Sequence, residues 1–130
     1  NQNTMNRIKS LITVCAFFAV GLTFGQAPQV NFENQDAIWK KQGNVNVSNF
    51  SVQAGQKDVA QIKERYDGLG SGVSYTISQN DGNTHKIQMQ FDEGIDKVYL
   101  YKMLLFIGCE QVIIADEQLT IDGFLNLLGQ

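Results

Sequence analysis

A β-hairpin signal in the middle of the chain constrains the fold more than any other feature. Residues 73–78 and 85–92 each alternate apolar with polar side chains, and Asp81-Gly82 lies between them. Asp-Gly between two alternating runs is typical of a tight hairpin turn. Because each run has one apolar and one polar face, the hairpin predicts an antiparallel sheet with one face in contact with solvent.

Two helical patterns flank this hairpin. Residues 57–69 carry apolar side chains every three or four positions, which forms one helical stripe. Residues 96–109 are apolar nearly all round, as expected of a helix that is deeply buried or covered by another element. A strand over residues 98–107 is an alternative interpretation, because the segment contains valine, isoleucine and aromatic residues. Its length and the stop at Gly108 favour a helix.

Short extended segments at residues 44–52 and 111–115 complete the pattern. Residues 44–116 then have the order strand, helix, strand, strand, helix, strand, which is a split βαβ unit repeated twice. We therefore predict an α+β fold, a ferredoxin-like βαββαβ sandwich whose antiparallel sheet carries two helices on one face. Residues 117–130 add a C-terminal amphipathic tail.

The first residues have the pattern of a secretory signal. Arg7 and Lys9 form a positive segment, residues 11–22 are apolar, and small residues occupy positions 23 and 25 before Gln26. A membrane-spanning helix needs about 20 apolar residues, and this run is shorter. We expect cleavage before Gln26, no membrane span afterwards, and a mature protein that is exported to the periplasm or outside the cell.

The sequence therefore divides into five segments. We expect an upstream or cloning-derived remnant, a signal peptide that starts at Met5, an N-terminal leader, the folded domain and the tail. They are residues 1–4, 5–25, 26–43, 44–116 and 117–130. Cys15 lies in the signal, so Cys109 is the one thiol of the mature chain and an internal disulfide is excluded.

Composition excludes some function classes. The formal net charge is −3 and no run of lysine or arginine is present, which argues against nucleic-acid binding. With a single histidine in the sequence, no Ser-His-Asp system is convincing. We predict that the protein is not an enzyme and uses no cofactor.

Three segments together suggest a family. They are the helical stripe of residues 59–69, the segment of residues 86–92 that ends in Phe-Asp, and residues 104–112, where a helix leads into the last strand. In order and spacing they resemble the heavy-metal-associated domain, the fold of copper chaperones and of the amino-terminal modules of metal-transporting ATPases. The resemblance covers residues 44–116 and implies the ferredoxin-like fold.

The metal motif of this family is missing. The family binds soft metal ions with a Met-x-Cys-x-x-Cys loop between its first strand and first helix, where two thiolates suit Cu(I). The corresponding loop here, residues 49–58, contains no cysteine. The resemblance therefore implies no metal ligand in this chain.

The outer side of the second helix offers a candidate interface. Exposed aromatic patches usually mark interfaces, and four side chains of this helix fall outside its core-facing arc. They are Tyr99, Lys102, Leu105 and Phe106. The alternative is that the tail of residues 117–130 or a leader containing Trp39 covers them.

These observations lead to two functional hypotheses. The first is an exported, non-enzymatic binding module with a heavy-metal-associated-like fold, which acts through a protein partner or as a homodimer. The alternative is a metal-binding or redox protein that uses Cys109 with His85 or Met89. Cys109 is thus a candidate reactive thiol, although a lone cysteine is more often buried and inert.

Overall fold

The computed structural model describes residues 27–130, which form four helices and one mixed sheet of seven strands. The elements in chain order are β1 (Gln29–Phe32), α1 (Gln35–Ile38), β2 (Lys40–Gln42), β3 (Val45–Gln53), α2 (Gln56–Asp67), β4 (Val73–Asp81), β5 (Thr84–Asp92), α3 (Val98–Phe106), β6 (Gln111–Ile114), β7 (Glu117–Thr120) and α4 (Ile121–Leu128). The buried side chains of α2, α3 and α4 form a single core cluster with those of the sheet.

The ferredoxin-like prediction is wrong, and strand β1 is the main reason. The sheet has the order β4-β5-β3-β1-β6-β7, so β1 lies between β3 and β6. It runs antiparallel to β3 and parallel to β6. The segment that the sequence suggested was only a leader therefore supplies a central strand, and β2 adds a further pairing along β3.

Strand β1 is central because its two apolar side chains are fully buried. Val30 pairs with Val52 on one neighbouring strand and with Val112 on the other. The Phe32 ring lies 5.4 Å from the Phe50 ring and stacks on the Phe124 ring at 5.5 Å between centroids. Such aromatic pairs add to the stabilisation that burial alone provides.

The C-terminal tail is also part of the fold. Strand β7 pairs antiparallel with β6 through a tight turn at Ala115 and Asp116, both of which have positive φ. The Thr120 hydroxyl then accepts a hydrogen bond from the Gly123 N–H at 3.0 Å and caps helix α4. The segment predicted as an amphipathic tail thus contains a strand and a helix.

The predicted signal peptide lies outside the described residues. Within residues 27–130, no helix combines the length and the apolar character that a membrane span requires. The assignment of residues 26–43 as a leader separate from the domain does not fit the position of β1 and β2 in the sheet.

We expect the substitution Phe32→Ala to destabilise the protein strongly. Truncation of a buried phenylalanine typically costs about 3–5 kcal/mol of unfolding free energy, and this ring contacts both a strand and a helix. Urea unfolding followed by circular dichroism measures the loss. Asn31→Ala is the matched control, because Asn31 is exposed on the same strand; a loss below about 1 kcal/mol for Phe32→Ala would contradict the central role of β1.

Candidate binding surfaces

The four predicted interface residues meet at one shallow depression on helix α3. Leu69, from the loop after α2, and Met103 complete a mainly apolar lining around a volume of about 420 Å³. We call this the α3 surface, and its residues are Leu69, Tyr99, Lys102, Met103, Leu105 and Phe106. Sequence reasoning missed Leu69 and Met103. Leu69 was assigned to the core stripe of α2, but that helix ends at Asp67.

Leu105 and Phe106 are the exposed large apolar side chains of the described residues. Their exposed fractions are 45% and 41%. Helix α4 packs beside α3, yet it leaves both side chains in contact with solvent. The alternative in which the tail or Trp39 covers these two residues is therefore wrong; Trp39 packs instead on Phe91, with ring centroids 4.8 Å apart.

Cationic side chains border the α3 surface. The Arg65 guanidinium lies 5.9 Å from the Phe106 ring centroid, and its Nη1 donates a hydrogen bond to the Phe106 carbonyl oxygen at 3.0 Å. On the other side, the Lys102 ammonium lies 5.8 Å from the Tyr99 ring centroid. Both cation–ring distances fall within the range of a cation–π contact. The surface is thus apolar in the middle and positively charged at its border.

Tyr99 belongs partly to the core. Its ring meets Phe91 edge-on, with centroids 6.3 Å apart, and the side chain is only partly exposed. Tyr66 supports the surface from below: its hydroxyl donates a hydrogen bond to the Met103 carbonyl oxygen at 2.8 Å, and its ring lies 6.5 Å from that of Phe106. The exposed side chains therefore stand on a fixed base.

Cys109, the candidate reactive thiol, is buried after α3. It is 2% exposed, and its Sγ donates to the Gln111 carbonyl oxygen at 3.2 Å. Burial raises the pKa of the thiol from 9.0 to about 12, and the charge of Glu110 acts in the same direction. Since the thiolate is the nucleophile and the metal ligand, this position opposes both reactions.

His85 and Met89 are buried on β5, on the face of the sheet that packs against the helices. No hydrogen-bond partner is present for His85 Nδ1 among the described residues. Cys109 lies just before β6, and β3 and β1 separate β6 from β5 in the sheet. Within residues 27–130, no group of three or more histidine, cysteine, aspartate or glutamate side chains is placed to hold a metal ion.

The opposite face of the sheet forms a broad polar cleft of about 930 Å³. Amide and hydroxyl side chains dominate its lining, and two acidic and two basic residues balance in charge. The residues concerned are Asn31, Glu33, Asn34, Asp36, Lys40, Gln42, Asn49, Ser51, Thr76, Ser78, Lys86 and Gln88. Two of these amide side chains form a hydrogen bond with each other: Gln88 Nε2 donates to Asn49 Oδ1 at 3.0 Å. Ala37, Phe50 and Ile87 add apolar surface to the lining, so the cleft is mixed in character.

Comparisons with models of protein families, with curated proteins and with solved structures found no match to this chain. The resemblance to the heavy-metal-associated domain therefore stays a prediction, and the observed sheet order departs from the fold that it implied.

We expect Cys109 to react slowly in the folded protein. Each unit of pKa lowers the thiolate fraction about tenfold. The rise from 9.0 to about 12 then predicts labelling by iodoacetamide at pH 8 that is at least about a hundredfold slower than in urea. Peptide mass spectrometry locates the label at Cys109; equal rates in both states would contradict the burial of this thiol.

The raised pKa of Cys109 also predicts how the free energy of unfolding depends on pH. Above pH 9 the unfolded chain loses the thiol proton while the folded protein retains it, so the free energy of unfolding decreases as the pH rises towards 12. In Cys109→Ala this contribution is absent and the decrease is shallower. Urea unfolding at several pH values gives the dependence of stability on pH for both proteins. Equal slopes for the wild type and Cys109→Ala would contradict a contribution from this thiol.

Proposed function

We propose that the protein is an exported, non-enzymatic binding module that holds a segment of another protein on its α3 surface. The observation that carries the proposal is the exposure of Leu105 and Phe106 side by side at one depression. Exposed apolar groups that are rimmed by polar ones are typical of interaction sites. Aromatic residues, phenylalanine among them, are also enriched at the centres of protein interfaces.

The charges around the surface indicate the chemistry of the partner. Lys102 and Arg65 border the apolar centre, whereas the chain as a whole has a formal charge of −3. A partner segment with apolar side chains in its middle and carboxylates at its border would complement this arrangement.

The rigidity of the base supports the same proposal. Tyr66 fixes α3 from below through its hydrogen bond to the Met103 carbonyl oxygen, and Arg65 fixes the end of the helix through the Phe106 carbonyl. A surface that is ordered before binding loses little conformational entropy when the partner arrives. The side chains that contact the partner then need only small rotamer changes.

Export is proposed from the sequence pattern at the N-terminus. Arg7 and Lys9, the apolar run of residues 11–22 and the small residues before Gln26 support it. In this proposal the partner is another envelope or secreted protein.

Export predicts a defined mature N-terminus. When the full-length gene is expressed in its source cell, we expect protein in the periplasmic or extracellular fraction whose first residue is Gln26. Fractionation followed by N-terminal sequencing measures this. A replacement of residues 11–15 by polar residues should leave the protein in the cytoplasm with its N-terminus intact; an unprocessed wild-type protein in the cytoplasm would contradict export.

The binding proposal predicts site-specific contact at Leu105, beside Phe106. A photo-crosslinking amino acid at position 105 should form an adduct with a partner in the envelope fraction, and the same group at the exposed Asn126 of α4 should not. Mass spectrometry maps the crosslinked segment, which should carry apolar residues beside carboxylates. Equal adducts from both positions, or a crosslinked segment without acidic residues, would contradict the proposal.

A synthetic peptide of the mapped segment then gives the affinity. We expect Phe106→Ala to weaken its binding at least about tenfold in calorimetry, because central aromatic side chains dominate binding energy. Added salt should weaken binding further through the cationic border. Phe106→Leu, which keeps an apolar side chain, and Asn126→Ala are the controls, and all variants should unfold at similar urea concentrations.

A further inference from the structure

Strand β4 forms one edge of the sheet, and no other strand of residues 27–130 pairs with its outer backbone groups. The Asp92 N–H donates to the carbonyl oxygen of Gly72 at 2.8 Å, directly across the β4–β5 pair. Hydrogen-bonded and non-hydrogen-bonded pairs alternate in an antiparallel ladder, so every second residue of β4 directs its N–H and C=O outward. The outward residues are Val73, Tyr75, Ile77 and Gln79.

Most of this edge lacks the devices that usually prevent strand pairing, and its one charged residue, Asp81, lies at the far end. Natural edge strands are short, carry charged residues or proline, or are bent by bulges. Residues 73–80 contain no charged residue and no proline, and the one irregularity in the pairing lies at the far end, between Gln79 and Asp81. Ser74 and Thr76 are exposed to solvent.

The opposite edge of the sheet is different. Strand β7 has four residues, begins with Glu117, and follows Asp116 in a tight turn. Both its length and its acidic residues discourage pairing with another strand. The contrast between the edges singles out β4 as the strand that is free to pair.

We propose that β4 pairs antiparallel with β4 of a second copy of this chain, with Thr76 at the two-fold axis, so that two sheets join into one. In this register Thr76 lies opposite Thr76 of the second copy, and Ser74 lies opposite Ser78. Tyr75 lies opposite Ile77. Hydroxyl pairs and aromatic–β-branched pairs are the combinations that stabilise neighbouring strands.

The self-complementary sequence favours a second copy over another kind of strand. Tyr75 meets Ile77 of the second copy, which is an aromatic–β-branched pair, and the hydroxyl residues Ser74, Thr76 and Ser78 meet one another. A two-fold interface repeats each of these contacts, which is the usual geometry of homodimers. The half-buried side chains of Tyr75 and Ile77 would also lose further contact with solvent.

A charge-swap experiment tests the dimer and its axis together. Analytical ultracentrifugation of the full-length mature protein over a concentration series should show a reversible dimer. In Thr76→Lys, like charges would meet at the axis, and we expect the dimer dissociation constant to rise at least about tenfold. Thr76→Glu should behave in the same way, and an equimolar mixture of the two variants should dimerise again.

Gln90→Lys is the control for a general effect of added charge. Gln90 is exposed on the same face of the sheet but lies on β5, away from the edge. We expect this variant to dimerise like the wild type. Circular dichroism of each variant checks that the monomer remains folded.

Disulfide trapping tests the register. Thr76→Cys places two thiols opposite each other at the axis, where the Cα atoms of a non-hydrogen-bonded pair lie about 4.5 Å apart. Oxidation should trap Thr76→Cys as a dimer linked at position 76 and should leave Ser78→Cys largely unlinked, because Ser78 lies opposite Ser74. Peptide mass spectrometry separates this bond from any that involves Cys109.

Three results would overturn the inference. They are a monomer at every accessible concentration, a dimer unaffected by Thr76→Lys, and trapping of Ser78→Cys as readily as Thr76→Cys. A dimer that Phe106→Ala disrupts and Thr76→Lys does not would place self-association on the α3 surface instead. Because the two surfaces use different residues, loss of partner binding and loss of dimerisation are distinguishable.

Discussion

The contact of Phe32 with Phe50 on one side and Phe124 on the other joins the two halves of this molecule. One half contains β3, β4 and β5 with α2; the other contains β6, β7 and α4. Strands β3 and β6 are not neighbours, because β1 lies between them. The four residues of β1 therefore determine how the hairpin and the C-terminal elements fit together, and the candidate surface on α3 depends on that fit.

The hairpin and the helices could be predicted because their signals are local. Alternation on either side of Asp81-Gly82 predicted strands 73–78 and 85–92, and the observed strands are Val73–Asp81 and Thr84–Asp92. Helix α2 was expected at residues 57–69 and spans Gln56–Asp67. These elements follow from periodicity and turn chemistry within a few residues of each other, so the sequence alone carries the information.

Among the strands that were missed, β1 at the centre of the sheet and β7 at its edge lack such local signals. Strand β1 offers only Val30 and Phe32 as alternating apolar residues, and its neighbours β3 and β6 are distant in sequence. The turn before β7 places Ala115 and Asp116 at φ of 49° and 73°, where glycine or asparagine is usual. Long-range packing outweighs local preference at both places, which is why the ferredoxin-like order was wrong.

The candidate interface was predicted only in part, because local periodicity identifies some of its residues and long-range packing determines others. An apolar arc that faces away from the core can be recognised from helical periodicity, and this identified Leu105 and Phe106. The contribution of Leu69 depends on where α2 ends. Gly68 caps that helix, and its N–H donates to the Arg65 carbonyl oxygen, so Leu69 leaves the helical stripe and reaches the side of α3. An error of two residues in a helix boundary thus changes which surface a side chain joins.

Tyr66 connects the two surfaces that the structure offers for association. Its ring lies 5.5 Å from that of Tyr75 on the free edge of β4 and 6.5 Å from that of Phe106 on the α3 surface. Its buried hydroxyl donates to the Met103 carbonyl oxygen, and burial raises its pKa well above the usual range. A tyrosine phenol is already neutral at physiological pH, and the raised pKa extends this neutral, hydrogen-bonding state to more alkaline conditions. A residue that packs on both surfaces holds their relative position, so a dimer formed through β4 would present its two α3 surfaces in a fixed arrangement.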